Sequence, residues 1–220
     1  WLFTPSTIAA ANLKHEGFAD EQIIPVGDVM FDVALHHGQR VSADGGLLQQ
    51  LGLQAGGYLL ATIHRAENTD HPQCLASIVA ALEATAKSLP VVWPLHPRTR
   101  AILKKAGRLE SLALCVNLIE PVGYIDMVQL EKHAALIATD SGGVQKEAFF
   151  YQMPCVTLRK ETEWVELVAS GWNRLALPGN AAQLAETIIS ALGSVGRNFR
   201  PYENGDAARK IVNQLAENLM

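Results

Sequence analysis

The chain has 220 residues, 49% of them hydrophobic, and a formal charge of −4. That supplies a sizeable core for one domain, or one and a fraction, and the 18 basic residues are scattered, which excludes a basic nucleic-acid-binding surface. No apolar stretch reaches membrane-spanning length and no signal peptide is visible; Cys74, Cys115 and Cys155 are odd in number and lack metal-ligand spacing, so they read as buried free thiols of a cytoplasmic protein.

Trp1-Leu2-Phe3-Thr4 reads as a strand already under way, as in a piece of a longer protein. Further strands are predicted over 23–26, 58–63, 91–95, 114–119, 134–139 and 155–158. Amphipathic helices are predicted between them over 72–88, 99–106, 125–133 and 143–152, and near the end over 181–192 and 206–219. Near-continuous apolar strands separated by helices imply an α/β fold with a Rossmann-like parallel sheet covered on both faces. Gly56-Gly57, Pro178-Gly179 and Asn204-Gly205 read as turns. His36-His37 lies on an amphipathic segment and reads as surface, because adjacent residues of a helix face apart and cannot form a metal pair.

In open parallel sheets, ligands sit beyond the carboxyl ends of the strands. Polar clusters stand at three such ends. After 58–63 comes His64-Arg65-Ala66-Glu67-Asn68. His64 suits acid–base work or a phosphate oxygen, and Arg65 suits bidentate phosphate binding; the plainer alternative is a solvated loop with Asn68 or Thr69 as a helix cap. After 91–95 comes His96-Pro97-Arg98-Thr99-Arg100, stiffened by Pro94 and Pro97, and a rigid strand exit is as good a reading as ligand contact.

The third end is the most informative. Thr139-Asp140-Ser141-Gly142-Gly143-Val144-Gln145-Lys146-Glu147 carries the chain from a buried strand into a helix. The first N–H groups of that helix lack internal partners and carry partial positive charge. Two glycines let a ligand approach that backbone, so Ser141, Gly142 and Gly143 form a candidate phosphate site. Glu147 follows about one turn into the helix, where a carboxylate suits a ribose or sugar diol. A tight connection without a ligand is the alternative for a bare Ser-Gly-Gly.

Two loops add candidates. Tyr124 in Glu120-Pro121-Val122-Gly123-Tyr124 either lines a pocket for a base or sugar or caps the core. Arg159 follows the last predicted strand and is placed to meet a diphosphate, with Thr162 as the cap of the next helix and Val165 and Leu167 facing inward.

Taken in order, Thr-Asp-Ser-Gly-Gly-Val-Gln-Lys-Glu-Ala at 139–148, His-Arg-Ala-Glu-Asn at 64–68, Glu-Pro-Val-Gly-Tyr at 120–124 and Thr-Glu-Trp-Val-Glu at 162–166 resemble the non-hydrolysing UDP-N-acetylglucosamine 2-epimerases. Phe3-Thr4-Pro5-Ser6 and Val26-Gly27-Asp28-Val29-Met30 match the segment leading into that family's second domain, so the resemblance covers nearly the whole chain. It implies the carboxyl-terminal, nucleotide-binding half of a glycosyltransferase-B fold. Residues 1–20 would end a missing amino-terminal domain, 21–204 would form the nucleotide-binding domain, and 205–220 would be a helix crossing back.

The resemblance further implies a reaction without metal or redox cofactor. UDP leaves as the C2 proton is removed, and re-adds with C2 inverted. The implied partners are a UDP-sugar and a second copy of the chain in a cytoplasmic homodimer serving cell-envelope polysaccharide synthesis, with neither nucleic acid nor membrane. Ser141, Gly142 and Gly143 would hold the diphosphate, Glu147 the ribose hydroxyls, and Tyr124 and Met127 would lie beside the uracil. His64 would act near the diphosphate and the leaving oxygen. His96 would match a regulatory position where some members bind a second UDP-sugar.

Two departures stand out. The carboxylates that move the C2 proton belong to the first domain, and Trp164 stands where many members carry Arg. The alternatives are a related UDP-diacetamido-uronic acid epimerase, a non-catalytic UDP-sugar-binding or glycosyltransferase half, and a serine hydrolase built on Asp140-Ser141-Gly142-Gly143. The last resembles the chymotrypsin-like proteases, which are all-β barrels, and the chain has no strand–Gly-x-Ser-x-Gly elbow of the α/β kind.

Overall fold

The computed structural model describes residues 1–219, in two compact units: 1–40 with the chain from 198 onward, and 41–197. Met220, the last residue of the expected terminal segment, lies outside the described residues.

The smaller unit holds two parallel strands, β1 (Leu2–Thr4) and β2 (Ile23–Pro25). Its helices are Thr7–His15, Val29–Gly38 and Ala207–Leu219. Ser6 and Asp28 cap the first two, accepting the N–H of Ala9 at 3.2 Å and of Met30 at 2.8 Å. Asp32 caps the third from across the unit, taking the N–H groups of Ala207 and Ala208 at 3.1 and 2.7 Å. Gly205 makes the turn before it with φ +79, a backbone conformation that glycine adopts without the strain an L side chain would meet.

The larger unit is one parallel sheet of six strands: β3 (Leu59–Thr62), β4 (Val91–Pro94), β5 (Asn117–Ile119), β6 (Leu136–Thr139), β7 (Cys155–Thr157) and β8 (Asn173–Leu175). Their spatial order is β5-β4-β3-β6-β7-β8. Side chains alternate between two cores. Leu59, Ala61, Val91, Trp93, Leu136, Ala138 and Val156 face one way, against the helices Pro72–Thr85 and Ala181–Ala191. Tyr58, Leu60, Val92, Ile137 and Cys155 face the other, against Leu130 of the helix Tyr124–Lys132 and Val144 and Ala148 of the helix Gly142–Phe150. Period-two alternation with both faces apolar is what a sandwiched parallel strand needs. Each fully buried leucine or isoleucine contributes about 1.5–3 kcal/mol. This is the Rossmann-like class the sequence predicts.

Three expectations change. The strand over 114–119 begins only at Asn117. Residue 114 sits in the turn after the short helix Leu109–Leu112, and its leucine side chain is 89% exposed. Cys115 shares that turn and is exposed, and Cys74 is half-buried, so Cys155 alone is a buried thiol. β8 and the short helices Gly46–Gln50, Ala66–Thr69 and Leu109–Leu112 were not legible as elements, whereas the helix expected after Thr162 is present as Val165–Ala169.

Candidate functional site

After β3 the chain winds toward β4 and β5; after β6 it winds the other way, to β7 and β8. The reversal lies between β3 and β6, and a crevice at such a reversal is the usual ligand site of an open sheet. The two strands end in register, Thr62 opposite Thr139, with their hydroxyls 2.6 Å apart. The Thr139 hydroxyl also accepts the Ser141 N–H at 2.9 Å.

Asp140 ties the two lips together. It is fully buried. Its carboxylate accepts the backbone N–H of His64 at 3.1 Å, that of Arg65 at 3.0 Å and the Asn68 side-chain amide at 3.0 Å. Asn68 donates also to the Leu158 carbonyl at 2.9 Å, bringing the exit of β7 into the same knot. These bonds fix where His64 and Arg65 leave the sheet. The His64 imidazole Nδ1 lies 3.8 Å from the Asp140 carboxylate, and the side chain is 45% exposed. The His96 ring centroid is 6.2 Å from that of His64. Asn68 and Thr69 are not helix caps; both are buried within Ala66–Thr69.

Ser141 is the N-cap of Gly142–Phe150, its hydroxyl accepting the Val144 N–H at 3.5 Å. The Gly142 and Gly143 N–H groups open this helix, where no preceding turn supplies carbonyls. A Cβ at Gly142 would meet Trp164 Nε1 at 3.5 Å and Arg65 Nη2 at 3.7 Å, ordinary contacts. Packing therefore does not demand glycine there. What glycine provides is bare backbone for an anion, beside the positive end of the helix dipole.

The arginines nearby are already paired. Arg159, 8% exposed, donates from Nε to Glu67 at 2.9 Å and from Nη1 to Glu163 at 2.9 Å. Its hydrogen bond to Glu163 is the largest influence raising its already high pKa, and the same bond holds Glu163 below the ordinary carboxylate range. Arg65 stands 3.9 Å from Glu67 and 3.7 Å from Glu163. Thr162 does not cap Val165–Ala169. It accepts the Trp164 N–H at 3.1 Å and donates to Gln145 at 2.6 Å, while residue 164 takes the cap position. Val165 is exposed and Leu167 buried, so only the second faces inward.

Tyr124, Met127 and Glu131 lie on the helix Tyr124–Lys132, which packs against the helix Gly142–Phe150 that carries Glu147. Tyr124 hydrogen-bonds Glu147. Met127 packs one turn on, against the cluster of Tyr58, Ile137 and Ala148. Burial raises the pKa of Glu147, offset by hydrogen bonds from Tyr124 and Glu131 and by the charge of Lys146. Sequence reasoning missed Asp140, Glu163 and Glu131. Asp140 and Glu163 have no local signature. For Glu131 a signal existed: at helical spacing it shares a face with Met127, which packs on the core, and with buried Val128.

The chymotrypsin-like serine hydrolase reading is overturned by the parallel α/β sheet, and the Ser141 hydroxyl is engaged as a helix cap. Among the described residues, no group of three or more His, Cys, Asp and Glu side chains is placed to hold a metal ion. No helix among them is long and apolar enough to cross a membrane.

The sequence model described as UDP-N-acetylglucosamine 2-epimerase matches residues 1–216. A Pseudomonas aeruginosa UDP-2,3-diacetamido-2,3-dideoxy-D-glucuronate 2-epimerase is 47% identical over 98% of this chain and 59% of its own length. The Methanocaldococcus jannaschii UDP-GlcNAc 2-epimerase, solved with UDP-GlcNAc and UDP, superposes with a TM-score of 0.86 at 34% identity, over 99% of this chain and 61% of that one. The Neisseria meningitidis UDP-GlcNAc 2-epimerase bound to UDP-GlcNAc superposes with a TM-score of 0.83 at 26% identity, over 99% of this chain and 61% of that one. The chain thus spans about 60% of the length of these relatives.

Proposed function

The chain belongs to the UDP-N-acetylglucosamine 2-epimerase family, and from that membership we propose that it forms the UDP-sugar-binding half of an enzyme converting UDP-N-acetylglucosamine to its C2 epimer. In this reading it is the carboxyl-terminal Rossmann-like domain of a glycosyltransferase-B arrangement. The observation that carries it is the helix N-terminus at Ser141-Gly142-Gly143, opening into the crevice between β3 and β6 with His64 on the opposite lip.

The diphosphate sits on the Gly142 and Gly143 N–H groups, where the helix dipole and two neutral donors offset its charge. Glu147 takes the ribose diol, and Tyr124 and Met127 flank the base. Arg65, half-exposed beside Gly142, faces the phosphates directly. Arg159, buried among Glu67 and Glu163, reaches them by exchanging one carboxylate partner. His96, beside His64, is the candidate for contact with a second nucleotide.

The reaction is an elimination followed by an addition. A base takes the C2 proton, the C2–H electron pair forms the C1–C2 double bond, and the C1–O bond breaks with its pair on the diphosphate oxygen. UDP then re-adds at C1 as a proton enters C2 from the opposite face. The carboxylates that handle the C2 proton are assigned to the remainder of the longer protein. A cytoplasmic homodimer supplying cell-envelope polysaccharide synthesis belongs to the same reading and rests on family membership alone.

The 47% identity to a diacetamido-uronate epimerase favours a second reading, in which the sugar carries an acetamido group at C3 and a carboxylate at C6. Calorimetry of this chain with UDP, UDP-GlcNAc and the diacetamido-uronate nucleotide tests both. UDP binding without turnover is expected from the chain alone. No UDP binding, or measurable epimerisation by these 220 residues, overturns the assignment.

A further inference from the structure

At position 131 the buried face of the helix Tyr124–Lys132 carries a glutamate that is completely buried. Neither carboxyl oxygen of Glu131 meets a hydrogen-bond donor. The titratable groups facing it come from each neighbouring element. They are Tyr124 on its own helix, Glu147 on the helix Gly142–Phe150, Tyr151 just beyond, Tyr58 at the start of β3 and Cys155 on β7. None is a cation. The Tyr58 hydroxyl is committed, donating to the Leu130 carbonyl at 2.6 Å. Lys146 acts on Glu147 and lies 4.4 Å over the Trp164 ring.

An ionised carboxylate at this position would lack donor and cation, would be sealed from bulk solvent, and would face the charge of Glu147. Each condition favours the protonated form. A protonated carboxyl is itself a donor, and the Glu147 carboxylate is the acceptor within its reach. The absence of a donor to Glu131 then has a simple origin: Glu131 supplies the hydrogen of the bond that joins the pair.

We propose that Glu131 is a positioning residue, keeping its proton and donating it to the Glu147 carboxylate, so that Glu131 and Tyr124 together aim that carboxylate at the ligand diol. The proposal rests on the assignment of Glu147 to a ribose diol made above. The pair carries one negative charge, on the oxygen that the ligand meets. Burial, then the charge and hydrogen bond of Glu147, raises the Glu131 pKa well above that of an ordinary glutamate. Below that raised value the pair is intact. As pH rises through it, Glu131 ionises, the bond is lost and two carboxylates repel each other, so ligand affinity falls on the alkaline side.

Infrared difference spectra of unliganded wild type against Glu131→Gln, near neutral pH, are expected to contain the carbonyl stretch of a protonated carboxylic acid. Calorimetry with UDP-GlcNAc across pH gives the second readout. Glu131→Gln keeps a donor that cannot ionise, so it should bind within about twofold of wild type near neutrality and lack the alkaline decline, while donor-free Glu131→Met should bind about tenfold more weakly. Comparison at each pH cancels titration of the ligand itself. Absence of the carbonyl band, or a glutamine variant as weak as the methionine one, overturns the proposal. Should wild type bind no UDP-sugar, the site assignment falls, and the infrared band, which needs no ligand, alone decides where the proton sits.

Discussion

The Trp164 indole N–H donates to the Gly142 carbonyl at 2.9 Å, across the first turn of the helix that opens the candidate phosphate site. The same ring lies 4.4 Å from the Lys146 ammonium. A tryptophan here adds a donor and an aromatic face where an arginine would add a charge. Trp164→Phe keeps most of the ring and removes the donor. A lost neutral hydrogen bond costs about 0.5–1.5 kcal/mol, so UDP-GlcNAc affinity should fall about two- to tenfold. Unchanged affinity and unchanged thermal midpoint together would show that the bond positions nothing.

Asp140 is the residue whose loss should cost the fold most within the site. It is fully buried and accepts from His64 N, Arg65 N and the Asn68 amide. Asp140→Asn is almost isosteric, but turns one acceptor oxygen into a donor that faces other donors. Each buried donor left unsatisfied costs about 1–3 kcal/mol. Urea unfolding should show a lower midpoint with the slope unchanged. A midpoint equal to wild type would mean that the loop after β3 holds its course without this carboxylate.

The sheet was legible in the sequence because its central strands are buried on both faces and read as continuous apolar runs. β8 escaped because Asn173 and Arg174 break such a run; Asn173 is buried only because its amide serves Thr157 and Gln145. The Ser141 turn was legible because strand, glycine pair and helix adjoin. The role of Asp140 was not, since its donors lie 72–76 residues away. Glu131 looked like an ordinary helix charge beside Lys132, and only its place on the apolar face marks it.

The cysteines differ in a way that alkylation can read. Burial pushes the Cys155 thiol up to about 12, from an ordinary 9.0. Its folded pKa therefore lies above its unfolded one. The stability this confers is complete below about 9 and is lost as pH rises toward 12. Since the thiolate is the nucleophile, iodoacetamide just below pH 9 should label exposed Cys115 first, half-buried Cys74 next and Cys155 only after unfolding. Labelling of Cys155 in the native chain, followed by mass spectrometry, would contradict its sealed position on β7.

Glu147→Ala should weaken UDP binding more than it weakens the fold. Charge-assisted bonds to two hydroxyls are each worth about 1.5–3 kcal/mol, which predicts at least about a tenfold loss of affinity. Calorimetry and thermal melting of the same variant separate the two effects. Intact affinity would leave Glu147 as packing only.

His64→Ala in the full-length enzyme should lower turnover far more than nucleotide affinity. The backbone of His64 is fixed by Asp140, while its imidazole is half-exposed, with Nδ1 3.8 Å from the Asp140 carboxylate. In the complex proposed above, the helix N-terminus would already offset the diphosphate charge in the bound substrate. New charge gathers on the leaving oxygen only as the C1–O bond breaks. A donor aimed at that oxygen therefore helps the transition state more than the ground state, and raises turnover without tightening binding to match. A positioned acid–base group contributes about 10²–10⁴-fold, and loss on that scale is expected at saturating substrate, with KM changed little. If His64 served only to order the loop after β3, affinity, turnover and thermal midpoint would fall together. The side chain adds little to that order, because the bonds to Asp140 come from backbone N–H groups that alanine retains. An unchanged turnover number in the variant removes the imidazole from the mechanism.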